Sequence, residues 1–114
     1  MSRKVIWVLV NSNSRREARA IGRVLLKERL VACFGLYPKI TSEYFWPPQS
    51  GRLEQSRGPL VVLETLPGKY NCIVKRIRRL HSDRVPFIGF LEMKGVQRDF
   101  YGWMRDELKK RGGL

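Results

Sequence analysis

Histidine, cysteine and acidic residues are scarce in this chain of 114 residues. The sequence has one histidine, two cysteines and ten acidic residues against 23 lysines and arginines, which gives a formal net charge of +13. Two cysteines are too few for the disulfide framework that holds small secreted proteins together. Copper and zinc centres need several imidazole or thiolate ligands, so a single chain offers few candidates for one.

Long apolar runs are missing as well. No segment approaches the roughly 18 apolar residues of a membrane-spanning helix. The apolar run 5–10 follows two basic residues, but it is short, lacks a small-residue cleavage site and ends in polar residues. It therefore predicts a first strand rather than a signal peptide. With 43% hydrophobic residues available for a core, we expect one domain over residues 1–114, located in the cytoplasm.

The positive charge falls mostly in segments where helices are expected, near residues 15–27, 69–79 and 109–111. One interpretation is that these are solvated helix faces. The other is a basic surface that concentrates nucleic acid, phosphorylated metabolites or anionic lipid. There is no dense block of like charges of the kind that forms a disordered nucleic-acid tail, and the sequence leaves the reason for the charge open.

The hydrophobic pattern predicts the element order β-α-β-β-α-β followed by one more helix. Ser14 and Glu17 have the spacing of a capping box, so the first helix starts there and ends near Leu30. This order is that of the ferredoxin-like split βαβ fold, an α+β fold with an antiparallel sheet and both main helices on one face. The predicted strands cover residues 4–11, 31–46, 53–56 with 60–66, and 85–93, and the later helices cover 70–81 and 99–110.

The second predicted strand is too long for one sheet. Strands usually have about 3 to 10 residues, whereas the apolar and aromatic run covers residues 31–46. We therefore expect it to extend beyond its own sheet and to offer backbone and aromatic surface to another chain. The segments 5–10 and 60–63 lack polar alternation, so the open face of the sheet is also expected to be buried in a homo-oligomer.

Four segments share residues with one known family, namely 26–33, 40–46 with Gly51 and 53–54, 81–86, and 99–103. Taken in order, they resemble the CutA family of divalent-cation tolerance proteins. The resemblance implies a ferredoxin-like subunit in a tight homotrimer, similar to the PII signalling proteins, whose long second and third strands reach into neighbouring subunits. It also implies a link to tolerance of divalent metals, copper especially, and a signalling role without an agreed enzymatic reaction.

The chain departs from the family pattern where metal chemistry would be expected. Family members have two acidic residues in the turn that here reads His-Ser-Asp-Arg-Val-Pro-Phe at 81–87, so both are lost and Arg84 is gained. The positions of the copper ligands suggested for some bacterial members correspond to Val10, Leu80 and His81 here. Only His81 remains as a candidate ligand for a divalent metal such as copper.

The resemblance also implies a cleft between subunits. Its aromatic members are either interface anchors or the walls of a small-ligand site. Arg84 and the basic surface favour an anionic ligand over a bare cation. The candidate cleft residues are Tyr44, Trp46, Glu54, His81, Arg84 and Trp103.

Other functions have less support. RNA-recognition modules of this topology carry aromatic residues on an exposed sheet, and their sequence pattern is absent, so we do not expect nucleic acid as a partner. Acylphosphatases share the topology, but their phosphate-binding loop is not visible at residues 10–15. His81, Ser82 and Asp83 are adjacent and do not make a catalytic triad. The alternative to a metal-tolerance protein stays an anion-binding or RNA-binding module without a metal role. In neither case do we expect an enzyme.

Overall fold

The computed structural model describes residues 3–39 and 41–109. Its elements follow the predicted order, except that each of the two middle predicted strands is divided into two, one in each of two sheets. A short 3-10 helix at Pro67–Lys69 precedes the second α-helix. The bounds are β1 Val5–Asn11, α1 Arg15–Lys27, β2 Cys33–Tyr37, β3 Ser42–Phe45, β4 Leu53–Ser56, β5 Leu60–Thr65, α2 Tyr70–Leu80, β6 Ile88–Met93 and α3 Arg98–Lys109.

Four strands form one antiparallel sheet in the order β2-β5-β1-β6. The predicted ferredoxin-like α+β fold is therefore confirmed. Alternate residues of β1 point to opposite faces, and Ile6, Val8 and Val10 are completely buried beneath the helices. Ile21 and Leu25 of α1, and Ile73 and Ile77 of α2, complete this core.

Helix α1 is fixed at both ends by its local sequence. Ser14 Oγ accepts the Glu17 N–H at 3.0 Å, and the Glu17 carboxylate accepts the Asn13 N–H at 2.9 Å. At the other end the N–H groups of Arg29 and Leu30 donate to carbonyls inside the last turn, which is a Schellman motif. Arg29 has a positive φ of 59°, so the helix ends at Lys27, three residues before the predicted end.

The prediction of one long strand over residues 31–46 is wrong in detail. The segment holds two strands, β2 in the large sheet and β3 in a separate two-stranded sheet with β4. Pro38 follows β2 and has no N–H to donate to a ladder, so pairing stops there; Ile40 lies outside the described residues. The prediction that the run leaves its own sheet is nevertheless correct, since β3 pairs only with β4 among the described strands.

Helix α3, which follows the final strand, forms a second and smaller core against the sheet. Strand β6 begins at Ile88 and not at residue 85, because Pro86 cannot donate to the ladder. Helix α3 packs Met104 and Leu108 against Val5 and Ala32. Val5 precedes Ile6 on the strand and so faces the side of the sheet away from α1 and α2. Helix α3 thus covers one end of the open face.

Candidate functional site

His81 lies at the end of α2, where the chain meets the end of β1. Its side chain is buried, and its Nε2 lies 2.6 Å from the carbonyl oxygen of Asn11. A carbonyl only accepts, so Nε2 donates, and Nδ1 accepts the N–H of Asp83 at 2.9 Å. Both ring nitrogens are therefore used in joining the turn after α2 to the sheet.

The Glu17 carboxylate holds the same turn against α1. Besides the Asn13 N–H, it accepts the Ser82 N–H at 2.7 Å, and it lies 3.9 Å from His81 Nδ1. Burial by itself would raise the pKa of Glu17, but the hydrogen bonds from Ser82 and Asn13 and the nearby His81 outweigh it, so the pKa is lowered. Asn13 adds hydrogen bonds from its Nδ2 to Ser82 Oγ and Asp83 Oδ1. In the single chain, this cluster fixes the turn after α2 against the start of α1.

The described residues of one chain do not fit a copper or zinc centre. Among the described residues, no group of three or more histidine, cysteine, aspartate or glutamate side chains could hold a metal ion. His81 would have to give up a hydrogen bond to bind one, and its role as a ligand stays a prediction. Cys33 is half-buried beside Glu64, and burial, followed by that carboxylate, raises the pKa of its thiol. Cys72 is exposed on α2 and not buried as its type suggests.

Three of the candidate cleft residues lie together on the β3-β4 hairpin. Tyr44 and Glu54 are directly opposite in the register, and Trp46 follows β3. Tyr44 and Trp46 are 44% and 42% exposed. The hairpin therefore presents aromatic surface in the single chain.

The other candidate residues lie elsewhere. His81 contacts Asn11 at the end of β1, whereas Trp103 belongs to α3, which packs at the start of β1 near Val5. At about 3.3 Å per residue, β1 separates these ends by about 20 Å. Arg84 is exposed in the turn after α2. One subunit alone does not assemble the six residues, so a shared cleft remains a prediction about the assembled protein.

Lys39 is a polar contact that the sequence did not indicate. Its Nζ donates to Asn11 Oδ1 at 3.0 Å and to Ser42 Oγ at 3.2 Å. Burial lowers the pKa of Lys39. The ammonium is thus held between the end of β1 and the start of the hairpin by two neutral oxygens, and no local motif marks a lysine for such a position.

The face of the sheet opposite α1 and α2 is largely apolar beyond the part that α3 covers. The register places Trp7 beside Leu91 and Leu9 beside Val62. Leu91 is 59% exposed. The hairpin exposes a further apolar pair, Phe45 opposite Leu53.

The sequence and the fold agree with a known family. The model of the CutA1 divalent ion tolerance proteins matches residues 6–107, from β1 into α3. The chain belongs to the CutA1 family. The resemblance inferred from the four segments is therefore confirmed, and the departures in the turn after α2 are departures of a genuine member.

Relatives and solved structures of the CutA1 family align over most of this chain. The divalent-cation tolerance protein CutA of Thermotoga maritima is 31% identical over 103 residues, which cover 89% of this chain and 98% of that protein. CutA1 from Pyrococcus horikoshii is 30% identical with a TM-score of 0.84 and covers 92% of this chain and 99% of its own. These proteins are named for tolerance and not for a reaction.

A more distant member supports the fold only. CutA from Archaeoglobus fulgidus is 21% identical with a TM-score of 0.85, over 92% of this chain and 99% of its own, and is described as periplasmic. Among the described residues of this chain, no helix is long and apolar enough to cross a bilayer. The cytoplasmic location expected from the sequence stays a prediction.

Proposed function

We propose that this single-domain CutA1 protein takes part in tolerance of divalent cations, copper among them, as a cytoplasmic homotrimeric binding or signalling scaffold that catalyses no reaction. The observation that carries the proposal is the family match over residues 6–107 together with the names of its relatives. Its cellular test is growth on rising copper concentrations of cells that lack their own CutA, with and without this chain. Equal growth inhibition in the two strains would contradict the role.

The apolar surface that no described element covers supports assembly into a PII-like trimer. A two-stranded hairpin is marginally stable by itself in water, yet β3-β4 exposes Phe45 and Leu53. A second copy covers such a surface with backbone pairing and aromatic contacts. Light scattering coupled to size exclusion should give about three times the chain mass of 13.4 kDa, and a mass of one chain would reject the trimer.

The metal part of the proposal needs a direct titration. Because the described residues of one chain supply no complete ligand set, a specific ion would have to be bound between subunits. We expect His81→Ala to abolish Cu(II) uptake in calorimetry if His81 is a ligand, while Cys72→Ala on the exposed face of α2 leaves it unchanged. An unaltered stoichiometry for His81→Ala would reject the assignment.

A second candidate is an anionic small molecule bound near the hairpin. Its support is the partly buried Lys39 ammonium, whose hydrogen-bond partners in the described structure are neutral oxygens. A carboxylate or phosphate there would be compensated by a nearby positive charge. A thermal-shift screen with nucleotides and carboxylates should show a rise that is lost in Lys39→Gln and kept in Lys75→Gln. No shift beyond a general salt effect would exclude this ligand.

A further inference from the structure

The positive charge of this chain is concentrated in one layer of the molecule. Helices α1 and α2 carry nine basic residues and a single acidic one, Glu17. Helix α3 carries three basic and three acidic residues, and the strands of the hairpin carry two acidic residues and no basic one. A positive charge that served only solubility would be spread over all surfaces and not confined to two helices. The α1-α2 layer is therefore a basic surface.

Most of these cations lack a partner within the described structure. Glu28 neutralises Arg76 through hydrogen bonds of 2.8 to 3.0 Å. Glu17 points its oxygens at Asn13 and Ser82 and offers no ion pair to the arginines beside it. The described hydrogen bonds and ion pairs include none from the side chains of the exposed residues Arg15, Arg16, Arg19, Arg23, Lys27, Lys75, Arg78 and Arg79.

The arrangement on α1 suits a regular row of phosphates. Arg15, Arg19, Arg23 and Lys27 follow one another at four-residue spacing, which places them on one side of the helix. They extend over about 18 Å at 1.5 Å per residue, a length over which a duplex presents about ten phosphates. The arginines and Arg16 line a shallow concavity around the small side chain of Ala20, so a phosphate can approach between their guanidinium groups.

We propose that the α1-α2 layer binds the phosphate backbone of double-stranded nucleic acid without reading its sequence. Seven of the nine cations are arginines, whose planar fork pairs with phosphate through two hydrogen bonds. The surface lies on the opposite side of the sheet from the apolar face, so assembly through that face leaves it free. This revises the expectation that nucleic acid is not a partner, which rested on the absence of the aromatic sequence pattern that RNA-recognition modules carry on the sheet face.

Other polyanions fit the surface less well. Binding in the plane of a membrane needs an apolar helix face that can enter the lipid, and α1 buries Ala18, Ile21 and Leu25 in the core. Single-stranded nucleic acid is held largely by stacking on aromatic side chains. Helix α1 has none, and Tyr70 of α2 is half-buried with its ring against Phe90. The surface thus provides charge and hydrogen-bond donors, but no apolar face that could enter lipid and no exposed aromatic ring on which bases could stack.

The test measures the full chain by fluorescence anisotropy against 24-base-pair DNA and RNA duplexes between 50 and 200 mM salt. The test variant replaces Arg15, Arg19 and Arg23 by glutamine. The matched control replaces Arg98, Arg105 and Lys109 of α3 by glutamine, which removes the same charge from another surface. Circular dichroism and light scattering on each variant first establish that the fold and the oligomeric state are retained. A loss of duplex binding can then be distinguished from a failure of the proposed assembly.

We expect the wild type to bind duplexes of unrelated sequence with similar affinity. The α1 variant should bind at least tenfold more weakly at 50 mM salt, and its salt dependence should fall by about three units of slope because three phosphate contacts are lost. The α3 variant should keep the wild-type slope within one unit. Similar binding of DNA and RNA duplexes would identify the phosphate backbone common to both as the ligand. A preference for one duplex would show which nucleic acid the surface binds.

Three results would overturn the proposal. Equal losses in the two variants would mean that net charge alone, and not the α1-α2 layer, attracts the duplex. Absence of duplex binding at 50 mM salt would reject the surface outright. Binding to vesicles with 30% phosphatidylserine, but not to either duplex, would assign the surface to a membrane instead.

Discussion

At Gly58 the chain passes so close to the backbone of Ser12 that there is no room for a side chain. A side-chain carbon at this position would collide with the carbonyl of Ser12. The hydroxyl and the N–H of Ser12 both donate to the carbonyl of Pro59, at 2.6 and 3.3 Å. The segment between β4 and β5 is therefore held against the end of β1, and glycine permits this close approach.

Gly58→Ala should destabilise the protein by about 2 kcal/mol or more, because overpacking forces the backbone apart. Gly102→Ala is the matched control, since nothing lies within 4 Å of its added carbon. In the middle of α3 this control should stabilise by about 0.5 to 1 kcal/mol. Urea unfolding measures both, and equal effects of the two changes would contradict the close approach.

Glu17 gives the stability a dependence on pH. Because its pKa is lowered by folding from the ordinary value of 4.5, its contribution is present above that value and is lost as the pH falls through the folded pKa. Glu17→Gln should cost about 1 kcal/mol at pH 7, the difference between a charged and a neutral acceptor. The gap to wild type should narrow at pH 3.5 in urea titrations. Glu43→Gln, an exposed change on the hairpin, should show little effect at either pH.

At the scale of elements, α3 depends on a few buried contacts. Met104 is completely buried, and Leu108 is 5% exposed, against Val5 and Ala32. An ion pair of 2.8 Å between Arg29 and Glu107 joins the helix to the residues after α1. Both groups of this pair are partly exposed, so its contribution is small beside the apolar burial.

Met104→Ala should therefore destabilise the protein by about 2 to 5 kcal/mol, the range for removing a large buried side chain. The neighbouring change Arg105→Ala, at an exposed position, should cost less than about 0.5 kcal/mol. Thermal and urea unfolding distinguish them. If the two variants were equally stable, α3 would not be packed on the open face as described.

At the scale of the whole molecule, the exposed apolar surface predicts how the chain assembles. Leu91→Glu places a carboxylate on the open face beside Trp7 and should reduce the proposed trimer to smaller species, because a buried unpaired charge is unfavourable. Cys72→Glu adds the same charge at an exposed position of α2, on the other side of the sheet, and should leave the mass unchanged. Light scattering reads both. A trimer that persists in Leu91→Glu would exclude the open face as the interface.

Local patterns were enough for much of this fold. The capping box at Ser14 and the hydrophobic periodicity of the chain predict the element order and, with the rule for βαβ units, the main sheet. The break in residues 31–46 was missed because apolar composition does not say which sheet a strand joins. The site was less predictable: nothing local indicates that Lys39 reaches Asn11, or that both nitrogens of His81 are engaged.

The sequence by itself determined the family, the α+β order and the total charge, because each depends on residue type and spacing along the chain. Only the tertiary structure decided that His81 joins the turn after α2 to the end of β1, that the hairpin leaves the main sheet, and that the unpaired arginines share one layer. These properties depend on distances between residues far apart in sequence. The scarcity of acidic residues is thus most pronounced on one surface, since α1 and α2 carry nine basic residues and one acidic residue.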